Sequence, residues 1–282
     1  MTRQKHREGY RDERGAEPGK EWNEKRKSRR RRKRRKARIR FLASMLGTLL
    51  GAILLVLVAY TALNLFCGFG KVNTQKLREQ GYPESLIALV ERNPETKDFV
   101  LDYPKYKGLE EIDISKDVMK GEIPHFLQWD ERWGYETYGS DFLAVTGCGP
   151  TCLSMVTCGL TGDTQWNPYE VAKMAEDNGY YVDGSGSSWD LMSSGAEKLG
   201  LTVSSVIFDA EHIRATLEAG QPIICVMGPG DFTDAGHFLV LTGVDKNGDI
   251  ILQDPNSVER TKQHWDVQKL MNQMKNLWAY SC

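Results

Sequence analysis

From Phe41 to Gly70 the chain contains no Asp, Glu, Lys or Arg, and its centre, Leu49 to Phe66, reads LLGAILLVLVAYTALNLF. A helix of about 20 such residues crosses the roughly 30 Å hydrocarbon core of a bilayer. No polar face interrupts the run, so the amphipathic pattern of a soluble surface helix is missing. Further along, residues 83–93, PESLIALVERN, predict a helix with Pro83 in its first turn and an apolar stripe of Leu86, Ile87, Leu89 and Val90. Asn93-Pro94 stops it. Beyond residue 121 the pattern predicts helices near 150–160, 167–178, 188–199 and 210–219. Strands follow at 222–227 (PIICVM), 237–244 (HFLVLTGV) and 249–254 (DIILQD), then a late segment, 263–280, with Trp265 and Trp278. Helices first and strands afterwards is an α+β order whose natural outcome is an antiparallel sheet.

Composition changes this picture in one respect. With 282 residues, 40% of them hydrophobic and 27% charged, the chain is no collagen, low-complexity or wholly disordered protein. Six cysteines are too few for a disulfide-stapled scaffold of this length. The formal net charge of −1, however, is the sum of two opposite halves. Residues 1–40 carry 19 Lys/Arg against 6 Asp/Glu, and residues 67–282 carry 18 against 32. Between them, 41–66 is uncharged. That asymmetry predicts two compartments with a membrane between.

Residues 25–40, KRKSRRRRKRRKARIR, hold 13 Lys/Arg directly before the apolar run. Positive residues stay cytoplasmic, which places the N-terminus inside and residues 67–282 outside. Beside a span, the basic run reads as topogenic and as a contact for anionic lipids rather than for nucleic acid. Cleavage as a signal peptide is the rival. Forty preceding residues make a very long n-region, no small-x-small site follows, and bulky Phe66 precedes Cys67. The expected organisation is a basic cytoplasmic tail (1–40), a transmembrane signal anchor (41–66), a stalk or helical prelude (67–120) and a folded domain (121–282). The setting it suits is a bacterial plasma membrane.

Few residues in the outer part carry chemistry. Gly147-Cys148-Gly149-Pro150-Thr151 precedes the apolar stretch TCLSMVTCGL, which puts Cys148 at a helix N-terminus. There the dipole and free backbone N–H groups favour a thiolate, and the flanking glycines allow a tight turn and a close approach of substrate. The bland reading is a buried thiol or half of a disulfide. Cys152, Cys158 and Cys225 read as small core residues. Of five histidines, His237 opens the apolar strand after the loop GPGDFTDAG, whereas His212 lies on a surface helix and His125 and His264 sit beside aromatic residues. Asp254 closes the next strand. If the turn is Asp245 to Gly248, Val244 pairs with Asp249, and Asp254 then lies opposite Leu239 and diagonal to His237 on one face. A slip of one residue would separate them. A thiol, an imidazole and a carboxylate so placed form a nucleophile, a base and an orienting acid. Gln128 is the best upstream donor for an oxyanion, with a surface glutamine as the alternative. Ser187 with Asp190 reads as a helix N-cap. Asp245-x-Asn247-x-Asp249 only superficially suggests a calcium loop, since its Gly is misplaced and Asn256 stands where Glu belongs. No metal site or cofactor is expected.

The order Gln, Cys, His, Asp, and the motifs PHFLQWDERWG, GCGPTCLSM, GHFLVLTG and QDPNS, resemble papain-like cysteine peptidases, in particular the double-glycine, bacteriocin-processing branch. The resemblance covers residues 121–282. It implies a papain-like α+β fold, with N-terminal helices packed on an antiparallel sheet. It also implies Cys148 as nucleophile, His237 as general base, Asp254 as orienting acid and Gln128 as oxyanion donor. Gln128 stands twenty residues before the cysteine, farther than papain-like enzymes usually place it. The expected activity is a membrane-anchored, extracytoplasmic thiol peptidase or amidase working through an acyl-enzyme on a peptide or amide. Acyl transfer to an amine shares that intermediate. An inactive module of the same fold that binds peptide or cell-wall polymer is the alternative.

Overall fold

A computed structural model describes residues 18–69 and 72–282; the expectations for residues 1–17 lie outside the described residues. The chain divides into two compact units, Met1–Lys71 and Val72–Cys282. In the first, one continuous helix, α1 (Pro18–Phe69), carries both the basic run and the apolar run. Its stretch Arg26–Val58 is long and apolar enough to cross a membrane and is not buried against protein.

The second unit begins with α2 (Thr74–Glu79), α3 (Glu84–Arg92) and α4 (Lys97–Asp102). The α3 stripe of Leu86, Ile87, Leu89 and Val90 is buried with Leu77, Phe99 and Val100 against Tyr135 and Ala144. The Phe99 and Tyr135 rings stack at 4.2 Å, and the Tyr135 hydroxyl donates to Phe99 O at 2.7 Å. The stretch 67–120, read from sequence as a stalk or prelude, is therefore from Val72 onward part of the same unit as the rest. The reason is the stripe itself, which needs an apolar partner and finds one around Tyr135.

A hairpin of β1 (Thr137–Tyr138) and β2 (Asp141–Phe142) leads through α5 (Leu143–Thr146) into α6 (Cys148–Thr161), buried at every position from Gly149 to Gly159. Then come α7 (Pro168–Asp177), capped by the Asn167 side chain, and a second hairpin of β3 (Tyr181–Val182) and β4 (Gly186–Ser187). The helix expected over 188–199 is broken at Ser193 into a 3-10 turn, Trp189–Met192, and α8 (Ser194–Lys198). Ser187 is no cap; it lies in β4 and shares a 2.8 Å hydrogen bond with the Tyr138 hydroxyl. The remaining elements are β5 (Thr202–Ser205), α9 (Ala210–Glu218), β6 (Ile223–Met227), β7 (His237–Val244), β8 (Ile250–Gln253), α10 (Val258–Thr261), α11 (Val267–Met271) and β9 (Met274–Ser281).

The main sheet has the order β5-β9-β6-β7-β8, antiparallel throughout. Both its faces are covered, which is why β6 reads as an unbroken apolar run. Ile224, Val226, Phe238 and Val240 join the core around α6, while Ile223, Cys225, Leu239 and Leu241 join one that includes Ile213 and Leu217 of α9.

The register of β7 with β8 departs from the simple hairpin and then returns to it. Val244 pairs with Ile250, not Asp249, but a bulge between Leu241 and Gly243 restores Leu241↔Leu252 and Val240↔Gln253. One extra residue on the bulged strand, Thr242, absorbs the shift. Asp254, the next residue, thus reaches the place opposite Leu239 that the sequence argument required.

The glycines beside Cys148 serve close packing. A Cβ on Gly147 would stand 2.4 Å from Leu143 O, and one on Gly149 would stand 2.5 Å from Ser187 Oγ. Neither position is the open approach for substrate expected from sequence.

Two predictions follow from this arrangement. Gly147→Ala meets a backbone oxygen that cannot swing away, and should cost about 1–3 kcal/mol in denaturant unfolding. Ile87→Ala, at a fully buried position, should cost about 2–5 kcal/mol. Because α3 belongs to the second unit, tryptophan fluorescence and far-UV circular dichroism of that variant should report one shared transition; a separate early step would contradict it.

Candidate active site

Cys148 is the first residue of α6, so its N–H is among the helix-start donors that lack an intrahelical acceptor. Its side chain is half-buried at a cleft of about 410 Å³ whose lining includes Gln128, His237, Asn256 and Arg260. His237, first residue of β7, lines the same cleft as Cys148, and its charge favours the thiolate. Its Nε2 lies 2.8 Å from Asp254 Oδ1, which leaves Nδ1 for the sulfur. Three residues distant in sequence thus form one contiguous row.

Charge in this row follows from burial set against pairing. Burial alone pushes the Cys148 thiol up, but the bond and charge of His237, with backbone N–H groups of Phe238 and Gly149, hold it below the ordinary thiol range. Burial alone would lower His237; Asp254 and Cys148 outweigh it and raise the imidazole to about 10. Burial likewise raises the Asp254 carboxyl, and His237 and Arg260 overcome this and hold it below the usual carboxylate range. Over the interval between the two shifted groups, the resting pair is thiolate and imidazolium.

Asp254 has no exposed surface. Its Oδ1 also accepts the Asn256 N–H at 2.8 Å, and its Oδ2 accepts Arg260 Nε at 2.5 Å. From behind, His125 Nε2 lies 2.8 Å from Asp254 O and 3.2 Å from Thr261 Oγ1. The Thr261 hydroxyl donates to Ser257 O, so both atoms near His125 are acceptors and Nε2 carries the proton. Sequence reasoning passed over Arg260 and took His125 for a packing residue. The available signal was Ser257, whose Oγ caps α10 by accepting from Arg260 N–H and so turns Arg260 back toward Asp254.

Gln128 is buried, 3% exposed, which removes the surface-glutamine alternative. Its Nε2 donates to Ala144 O at 2.7 Å, leaving one amide hydrogen free, and Oε1 has no partner. The loop that carries it is pinned by Trp133 Nε1 to Leu127 O and by Gln128 N–H to Pro255 O. Among the described residues the remaining histidines stand apart: His212 pairs with Asp209, and His264 with Asp245. Trp189 meets Trp278 edge-on, while Phe232 lines the cleft. No group of three or more metal-ligating side chains occurs among the described residues.

Residues 120–281 match the model of the Peptidase_C39 like family. A crystal structure from Bacillus anthracis, described as a "putative C39-like peptidase", is 18% identical, covering 58% of this chain and 97% of that one, with a TM-score of 0.34. No curated protein matches the chain. The family match takes in more than half of the sequence and all of Gln128, Cys148, His237 and Asp254: the chain belongs to the Peptidase_C39 like family.

Proposed function

We propose that the protein is a cysteine peptidase held at a membrane by α1, with its second unit on the extracytoplasmic side and Cys148, His237 and Asp254 as its catalytic row. The observation that carries this reading is the His237–Asp254 hydrogen bond beside Cys148, with thiol and imidazole lining one cleft. Family membership supports the peptidase class; the charge split around residues 41–66 supports the placement.

The chemistry runs in two halves. The Cys148 thiolate attacks the scissile carbonyl carbon, and the carbonyl electron pair moves onto oxygen. The Cys148 N–H and the free amide hydrogen of Gln128 are the donors for that oxyanion. As the tetrahedral adduct collapses, the imidazolium of His237 gives its proton to the leaving nitrogen, and a thioester to Cys148 remains. His237, now neutral, takes a proton from water as the water oxygen attacks the thioester. Collapse expels the thiolate, releases a carboxylic acid and returns the starting pair. Asp254 keeps the imidazole ring oriented and offsets its positive charge throughout.

Two measurements test the reading. Iodoacetamide alkylation should modify Cys148 below the ordinary thiol range, with a rate that falls only as acid protonates the thiolate. Cys152 and Cys225, whose thiols burial pushes up, should stay silent in the folded protein. In His237→Ala the cation is gone and burial is opposed only by the Phe238 and Gly149 N–H groups, so the acidic shoulder should vanish; its persistence would sink the assignment. Second, Cys148→Ala should abolish capture by a peptidyl acyloxymethyl ketone probe and hydrolysis of any accepted peptide. Asp254→Ala should lower kcat by about 10²–10⁴-fold, the range for general acid–base machinery. It should also cost about 3–5 kcal/mol of stability by leaving buried His237 without its carboxylate.

A further inference from the structure

The stretch that matches the family begins at residue 120, yet one wall of the cleft comes from before it: Leu89, Arg92 and Asn93 line the same space as Cys148 and His237. The contact continues behind the wall. The turn after α3 docks on residues 256–259 through five hydrogen bonds. Asn93, itself buried, donates from Nδ2 to Asn256 O at 2.6 Å and to Asn256 Oδ1 at 3.1 Å. Glu95 takes the Ser257 hydroxyl on Oε1, and the Val258 and Glu259 N–H groups on Oε2 at 2.8 and 3.3 Å. These two N–H groups open α10 and have no acceptor within that short helix.

The place of this contact gives it its importance. Asn256 N–H is one donor to Asp254 Oδ1, and Arg260, carried by α10, is the donor to Oδ2. On its other side the loop is held by Gln128 N–H to Pro255 O and by Trp129 Nε1 to Asn256 O. The carboxylate that steadies His237 therefore sits on a loop gripped between the Gln128 segment and the 93–95 turn.

We infer that Asn93 and Glu95 are positioning residues, and that residues 72–105 are a working part of the peptidase, fixing the acid loop of the catalytic row from outside the family's own stretch. The inference rests on the catalytic reading above. Its physical content is a sequence of dependences. If Glu95 releases Ser257 and α10, the 254–257 loop loosens and the His237–Asp254 bond lengthens. The imidazolium then loses its anion and the Cys148 thiolate loses its cation. Other titratable or charged groups around the row are Tyr138 on β1, Cys152 on α6, Cys225 on β6, Arg260 on α10 and His125. Arg92, Asp231 and Asp234 also line the cleft; of all these groups, Arg260 moves with α10 and His125 feels the Glu95 charge directly, while the rest are on elements that Asn93 and Glu95 do not hold.

The test is the pH profile of iodoacetamide alkylation at Cys148 in the full chain, with thermal unfolding measured alongside. In Glu95→Gln the midpoint should rise by about one pH unit or more, so the rate at the acidic end falls roughly tenfold. Glu95→Asp, which keeps the charge, should recover part of the shift. Asn93→Ala removes the bonds to Asn256 and the Asn93 Oδ1 cap on Glu95 N–H but keeps the Glu95 carboxylate; it should move the midpoint less, in the same direction, and it carries the test if Glu95→Gln fails to fold. A lowered melting temperature with an unmoved midpoint in these variants would overturn the inference and leave the peptidase reading intact. A wild-type chain with no acidic shoulder at all would overturn both.

Discussion

Asp254 is a carboxylate with no exposed surface, and the architecture around it is what keeps it charged. An ion that deep, left unpaired, costs several kcal/mol or simply takes up a proton. Here its two oxygens receive His237 Nε2, Asn256 N–H and Arg260 Nε, from β7, the following turn and α10 respectively. The outcome is a row of alternating charge: Arg260 positive, Asp254 negative, His237 positive, Cys148 negative. Every neighbour in such a row attracts, and a low-dielectric interior strengthens each attraction. Removing Asp254 leaves the buried imidazole of His237 without its anion.

That row was partly legible before any coordinates. Cys148 could be placed by Pro150 and the apolar helix after it, and His237 and Asp254 by the alternation and turn between their strands. The legibility of the last pair was narrower than it looked. The hairpin closes one residue away from the simplest pairing, with Val244 on Ile250, and only the bulge at Thr242 brings Asp254 back into line. Bulges leave no mark in hydrophobic periodicity, since the extra residue can be anything that tolerates the bend. β5 was invisible for a different reason. Its residues, TVSS, are mostly exposed at the sheet edge, so nothing apolar marks them. Glu95 and Ser257 are 162 residues apart, and their contact depends on how two segments dock. No local pattern encodes it.

The two N-terminal stretches show how far composition can be trusted. Lipid asks only for length and apolarity, and the run in α1 has both, as a signal sequence also would. The prelude asks for more. A nine-residue helix is too short to stand alone in water, and the four buried residues of its stripe need a surface to meet. Taken seriously, that stripe argues against a free stalk. Docking α3 brings Asn93 and Glu95 to the acid loop, so the hydrophobic requirement of one short helix fixes the polar contacts of a distant site.

Helix α6 makes the last point, because it holds three cysteines with three fates. Cys152, one turn beyond Cys148, is fully buried without a cation, and its thiol is pushed far up. Cys158 lies farther along, donates to Trp166 O, and is pushed up to about 12. Cys148 feels burial as well, and burial is the largest single influence on it, yet its thiol moves the other way. The helix start contributes, but the difference in sign comes from the imidazolium. The direction in which each thiol is shifted thus follows from the charges beside it and not from cysteine, burial or helix taken singly.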